Sequence, residues 1–116
     1  MILNDYAAEC RTAADRWYHD PVTGERLTMN KGERLMLIVS ELAEAFEGER
    51  KGLMDDHLPH RLAAEVELAD ALIRIFDYAG EEGYDLEGAY REKLSFNATR
   101  EDHSSVARAA EGGKKW

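Results

Sequence analysis

The chain has 116 residues, one cysteine and a formal net charge of −9 at pH 7, with 44% hydrophobic and 34% charged residues. These values are typical of one small globular domain, and they exclude a disordered chain and an internal disulfide. The acidic balance argues against nucleic-acid binding, which needs a basic surface, so no nucleic-acid partner is expected.

The sequence has neither a long apolar run typical of a membrane span nor the pattern of a secretory signal. The longest apolar run extends from Leu35 to Val39, far below the roughly 20 residues that a membrane span needs, so no membrane partner is expected. The first residues, MILNDYAAEC, place no basic segment ahead of an apolar one. A secretory signal is therefore not expected, and the predicted location is cytoplasmic.

Apolar periodicity predicts four helices and no strands, because β-branched residues are sparse. The helices are expected at residues 6–18, 32–51, 60–82 and 86–96, with Asn4 or Asp5 capping the first. A short fifth helix is expected after Asp102. The predicted fold class is all-α: an antiparallel helical bundle of four to five helices, completed by oligomerisation, in a single domain 1–116 whose tail from about residue 104 is expected to be mobile.

Two similar tetrapeptides, ELAE at 41–44 and ELAD at 67–70, lie on the second and third predicted helices. Each places two carboxylates three residues apart, on one helical face. On the second helix Leu35, Ile38, Val39, Leu42 and Phe46 form the other, apolar face. A short loop joins the helices, so they are expected to be antiparallel and to bring both acid pairs together.

Two interpretations of these acids are open. They form either a solvated charged stripe, with Asp70 and Arg74 as an ordinary i, i+4 pair, or the ligand set of a hard divalent cation such as Mg²⁺. Glu41 and Glu44 have no basic residue three or four positions later, which favours the cation. A di-iron site is disfavoured, because it normally needs a histidine where Asp70 stands.

The spacing E-x-x-E, 22 residues, E-x-x-D resembles the all-α nucleoside triphosphate pyrophosphohydrolases of the MazG-like group. The strings SELAEAFEGERKG (40–52), ELADALIRIFDYA (67–79) and EKLSFNATREDH (92–103) extend the resemblance over residues 30–116. The resemblance implies Mg²⁺, or Mn²⁺, held by Glu41, Glu44, Glu67 and Asp70. It also implies cleavage of a (d)NTP to monophosphate and pyrophosphate by a homodimer or homotetramer.

Further roles follow from the resemblance and the chemistry of the site. Glu41 or Glu44 is the candidate catalytic residue that orients or deprotonates the attacking water. The candidates for binding the substrate phosphates are Lys93, Asn97 and Arg100, and Lys114 and Lys115 are candidates in the tail. Trp17 is a candidate for stacking on the base. Where some relatives have a further acid after the second glutamate, this chain has Ala45.

Two rival functions remain open from the sequence. One is a phosphoribosyl-ATP pyrophosphatase, which the acid motif does not distinguish from other members of the group. The other is a helical assembly or regulatory module without catalysis, for which Mg²⁺ would not change the melting temperature.

Overall fold

The computed structural model describes residues 2–99, 106, 109, 110, 112 and 113. Within this part of the chain it has helices and no strand, and it confirms the all-α prediction. The elements are α1 (Leu3–Ala13), a 3-10 helix (Asp15–Tyr18), α2 (Lys31–Lys51), α3 (Ala63–Glu82) and α4 (Leu86–Thr99).

The helices fall into two compact units, of which the first ends at Tyr84 and the second begins at Asp85. The first unit contains α1, α2 and α3, and the second contains α4. The fifth helix expected after Asp102 falls mostly on residues outside the described part. Among the described helices, none combines the length and the apolar character that a bilayer span requires.

The ends of α2, α3 and α4 have local causes in the sequence. The side chain of Asn30 accepts a hydrogen bond of 2.8 Å from the backbone N–H of Glu33, which caps the start of α2. Gly52 and Gly83 follow α2 and α3 with φ of +62° and +69°, a conformation that favours glycine. Asp85 accepts from the N–H of Gly88 at 3.0 Å and caps α4.

Three of the predicted helices have a boundary that is wrong by more than one residue. The first helix begins after Ile2, so Asn4 and Asp5 are not its caps, and it ends at Ala13, where the chain tightens into the 3-10 helix. The third begins at Ala63 and not at His60, because the Ala63 N–H donates to the Leu53 carbonyl and holds the preceding residues in the loop. The fourth continues beyond Phe96 to Thr99.

Small residues bring α2 and α3 close together. Arg34 contacts Asp77, Glu41 contacts Arg74, and Gly48 lies against Ala63, so the two helices are antiparallel. A Cβ at Gly48 would lie 3.1 Å from the Ala63 Cβ, which is tighter than ordinary contact. The buried positions in this pair of helices are also small, namely Ala45, Ala64, Ala71 and Ala79.

Most of the apolar face of α2 is left uncovered by the part of the chain that the structure describes. Leu35, Val39, Leu42 and Phe46, here called the outer row, are each between 46% and 64% exposed. The face of α2 that contacts α3 instead carries Arg34, Glu41, Ala45 and Gly48. The second helix therefore turns charged and small residues inward and large apolar residues outward, the reverse of an ordinary amphipathic helix.

Candidate metal centre

Three carboxylates from the two acidic tetrapeptides meet between α2 and α3. Glu41 on α2, and Glu67 and Asp70 on α3, each offer an oxygen, and these oxygens lie within 4.8 Å of one another. Oxygens that share one Mg²⁺ or Ca²⁺ are separated by at most about 4–5 Å. The antiparallel packing thus brings three of the four predicted ligands to the spacing of a single hard cation.

The negative charges in this cluster are poorly compensated by the residues that the structure describes. A hydrogen bond to Glu41 raises the pKa of Glu67 to about 8, together with burial and the negative charges of Glu44, Glu41 and Asp70. Burial, followed by the charge of Glu41, raises the pKa of Asp70. The Oε2 atom of Glu67 is buried and has no hydrogen-bond partner among the residues that the structure describes. A buried carboxylate oxygen without a donor is costly, and a cation would satisfy it, so these residues fit a divalent metal ion.

Glu44, the fourth predicted ligand, lies outside the three-residue group. Its side chain is exposed, and its charge acts on Glu67 from nearby. It lines a second, smaller cavity of about 230 Å³, whose other acidic residues are Glu47, Asp55, Asp56 and Glu67. Glu47 pairs there with Arg50 and Lys51 on its own helix.

Arg74 supplies a positive charge to the acid cluster. Its Nε donates a hydrogen bond of 3.0 Å to the Oε1 of Glu41. The sequence suggested a pair with Asp70 on the same helix, but this ion pair instead crosses from α3 to α2. Among the described residues, the cluster therefore has one guanidinium beside three carboxylates, which leaves it acidic.

A cavity of about 480 Å³ opens directly beside the cluster. Glu41, Asp70 and Arg74 form part of its wall, and its remaining lining is mixed apolar, aromatic and charged: Ala14, Trp17, Tyr18, Met29, Arg34, Leu37, Ile73 and Asp77. Trp17, the predicted base-stacking residue, is 64% exposed and presents a large aromatic surface to this space. The cavity volume suits a small organic ligand.

Tyr18 anchors the segment that carries Trp17. Only 1% of Tyr18 is exposed, and its hydroxyl donates to the Oδ1 of Asp77 at 3.0 Å. Arg34 donates to both the Tyr18 hydroxyl and the Oδ2 of Asp77, the latter at 3.1 Å. The guanidinium of Arg11 lies 3.7 Å from the ring centre. Burial and the charge of Asp77 raise the pKa of Tyr18 to about 12, so its hydroxyl remains a donor at neutral pH.

The sequence did not identify Arg34, Asp77 and Tyr18 as one group. The only available signal was that Asp77 lies seven residues after Asp70, on the same helical face. This spacing shows that Asp77 follows the acids along α3, but nothing in it indicates partners at Arg34 and Tyr18, which lie 43 and 59 residues before Asp77.

The predicted phosphate-binding residues lie in the second unit or outside the described residues. Lys93 is exposed on α4, with its Nζ 4.8 Å from the centre of the Phe96 ring. Asn97 lies one turn later and is half-buried, and its Oδ1 is buried without a hydrogen-bond partner in the described part of the chain. Arg100, Lys114 and Lys115 lie outside the described residues.

Without divalent cations, we expect the stability of the protein to fall as the pH rises from about 5 to about 8. In this interval folded Glu67, with a pKa of about 8, keeps a proton that the unfolded chain has released, since its ordinary value is 4.5. The carboxylates with lowered pKa values, Asp15, Asp20 and Glu81, are ionised in both states there and contribute no slope.

Thermal melts in EDTA at pH 5, 6.5 and 8 measure this dependence. Glu67→Gln cannot titrate, so it should flatten the decline. A parent melting temperature that rises between pH 5 and pH 8 would contradict the proton held by Glu67.

Comparison of the chain with protein-family models, with curated proteins and with solved structures finds no match, and its function is therefore inferred from the residues of the site.

Proposed function

We propose that the chain is a Mg²⁺-dependent nucleoside triphosphate pyrophosphohydrolase of the MazG-like type. The observation that carries this proposal is the meeting of Glu41, Glu67 and Asp70 within 4.8 Å at the wall of a 480 Å³ cavity. Three acids that repel one another, one of them with the unpartnered oxygen Oε2 of Glu67 described above, are unfavourable as a purely structural feature. Beside a cavity of nucleotide-compatible size, they support a site for a cation and the phosphates that it binds.

Mg²⁺, or Mn²⁺, would be held by Glu41, Glu67 and Asp70, with Glu44 as the fourth ligand that the motif implies. Bound there, the ion supplies neutralisation of phosphate charge and polarisation of the reacting phosphorus. The ligands come from two packed helices and not from loops. Their relative positions are therefore fixed by backbone packing, which preorganises the site.

The chain itself positions the water and the substrate. Glu41 or Glu44 would orient the attacking water and accept its proton while the oxygen attacks the α-phosphorus. The bond to the β-phosphate breaks, which yields a monophosphate and pyrophosphate. Trp17 faces the cavity and would stack on the base, and Lys93, Asn97 and Arg100 remain the proposed phosphate-binding residues.

The proposed enzyme is a homodimer or homotetramer whose helical bundle is shared between chains. The support is the outer row of α2 together with Leu68, Leu72 and Ile73 of α3, each about half exposed. Monomeric proteins rarely leave several large apolar side chains uncovered on adjacent helices. A second copy that covers them would complete the antiparallel bundle.

A screen for pyrophosphate release tests the activity. We expect release from at least one canonical or modified (d)NTP in the presence of Mg²⁺, and none in EDTA. Phosphoribosyl-ATP is included as a substrate, since turnover of that compound alone would identify the rival pyrophosphatase. No release from any compound, with a melting temperature indifferent to Mg²⁺, would favour the non-catalytic module and contradict the proposal.

A further inference from the structure

Arg74 forms an ion pair with Glu41, a carboxylate that the proposed function assigns to binding a metal ion. Its side chain is 43% exposed, whereas that of Glu41 is only 12% exposed. A long, partly solvated side chain thus reaches across from α3 and contacts the mostly buried acid through one hydrogen bond of 3.0 Å. Such a pair is weak, because much of the guanidinium charge stays in water.

The other arginine of the cavity is held differently. Arg34 is 11% exposed, and it donates to both Asp77 and the buried Tyr18. Neither of those partners belongs to the acid cluster, so a cation bound there leaves Arg34 in place. Arg74 has its ion pair with a cluster member, and a cation that takes the Glu41 oxygen competes with it directly.

We propose, on the basis of the function proposed above, that Arg74 is a displaceable counterion. Without a divalent cation it neutralises Glu41 and limits the repulsion among the three acids. When the cation binds, the guanidinium leaves Glu41 and becomes available to the phosphate groups of the substrate. One side chain therefore stabilises the empty site and then binds the triphosphate.

The position of Arg74 supports both roles. It stands one helical turn after Asp70, and it lines the same 480 Å³ cavity as Trp17. A guanidinium released from Glu41 therefore remains at the cavity wall, beside the acid cluster. Arginine suits this second role, because its planar fork binds phosphate oxygens in a bidentate manner and remains charged at all working pH values.

The test compares the parent with Arg74→Gln in two binding measurements that do not depend on turnover. The first is titration with Mn²⁺ alone, followed by the electron paramagnetic resonance signal of the free ion. We expect Arg74→Gln to bind Mn²⁺ about 3- to 10-fold more tightly, since the competitor for Glu41 is gone. The second is calorimetric binding of inorganic tripolyphosphate at saturating Mg²⁺, which should weaken about 10-fold or more.

Arg50→Gln is the matched control, because it removes the same charge from an exposed ion pair on α2 that does not involve Glu41. Its affinities for both ligands should stay within about twofold of the parent. Arg74→Lys keeps the positive charge but loses the planar guanidinium, so it should bind tripolyphosphate more weakly than the parent does. Its affinity for Mn²⁺ should stay closer to that of the parent than the affinity of Arg74→Gln does.

In Arg74→Gln the expected changes have opposite signs, since Mn²⁺ should bind more tightly and tripolyphosphate more weakly. Failure of the counterion proposal can therefore be distinguished from failure of the proposed function. An unchanged or weaker Mn²⁺ affinity in Arg74→Gln, with normal binding by the parent, overturns the counterion while the metal site stands. Tighter Mn²⁺ binding with unchanged tripolyphosphate binding overturns the phosphate role. A parent that binds no Mn²⁺ overturns both this proposal and the proposed function.

Discussion

Glu67→Gln and Asp70→Asn are each expected to lower pyrophosphohydrolase activity by about 10³-fold or more, without lowering the stability of the metal-free protein. Activity falls because each change removes a carboxylate from the set that would hold the cation, whose charge stabilises the transition state. Stability is preserved because an amide adds no negative charge to the cluster, where a hydrogen bond to Glu41, burial and the nearby negative charges raise the pKa of Glu67 to about 8.

Thermal melts with EDTA and with Mg²⁺ separate the two effects. The parent should gain stability from Mg²⁺ in proportion to its occupancy, and the variants should lose most of that gain. Glu49→Gln serves as the control, because it removes an exposed charge from α2 outside the cluster. If all four proteins respond equally to Mg²⁺, or if none responds, the acid cluster does not bind the ion.

Leu42→Lys is expected to dissociate the proposed oligomer. The Leu42 side chain is 46% exposed in the outer row of α2, and burying such a side chain against a second copy contributes about 1.5–3 kcal/mol. A lysine there loses this contribution and brings an unpaired charge into an apolar contact, which costs more. We therefore expect the dissociation constant to rise by about 10³-fold or more.

Size-exclusion chromatography with light scattering measures this change at several protein concentrations. The parent should elute as a multiple of 13.1 kDa, and the variant as a monomer or as an unfolded chain. Ser40→Lys places the same charge on the same helix, away from the outer row, and should leave the assembly intact. A parent that is a stable 13.1 kDa monomer at all concentrations would remove the proposed oligomer.

Several parts of the fold were predictable because their causes are local. Asn30, Gly52, Gly83 and Asp85 mark helix ends through hydrogen bonds or backbone conformations that involve only neighbouring residues. The start of α3 was not predictable, because the hydrogen bond from the Ala63 N–H to the Leu53 carbonyl joins two sides of a loop. The break at Ala14 was likewise not predictable, because it allows the burial of Tyr18, which depends on residues of α2 and α3.

The candidate site was predictable in its residue types but not in its pairings. The i, i+3 spacing placed Glu67 and Asp70 on one face, and the short loop placed Glu41 opposite them. The ion pair between Arg74 and Glu41 depends on the rotation of α2 about its axis. Apolar periodicity suggests that the outer row should face the core, whereas the small residues Ala45 and Gly48 determine which side actually meets α3.

One face of α3 carries both the α3 members of the acid cluster and the residues that hold the segment of Trp17 in place. Asp70, Arg74, Asp77 and Glu81 follow one another at helical spacing, and Asp77 and Glu81 bind Tyr18 and Arg11. A single-residue insertion between Glu67 and Asp77 would rotate one half of this face by about 100° relative to the other. The length of this segment is therefore under a stricter constraint than most of its residue identities. Homologous chains that share the cavity should differ here by substitution and never by insertion or deletion.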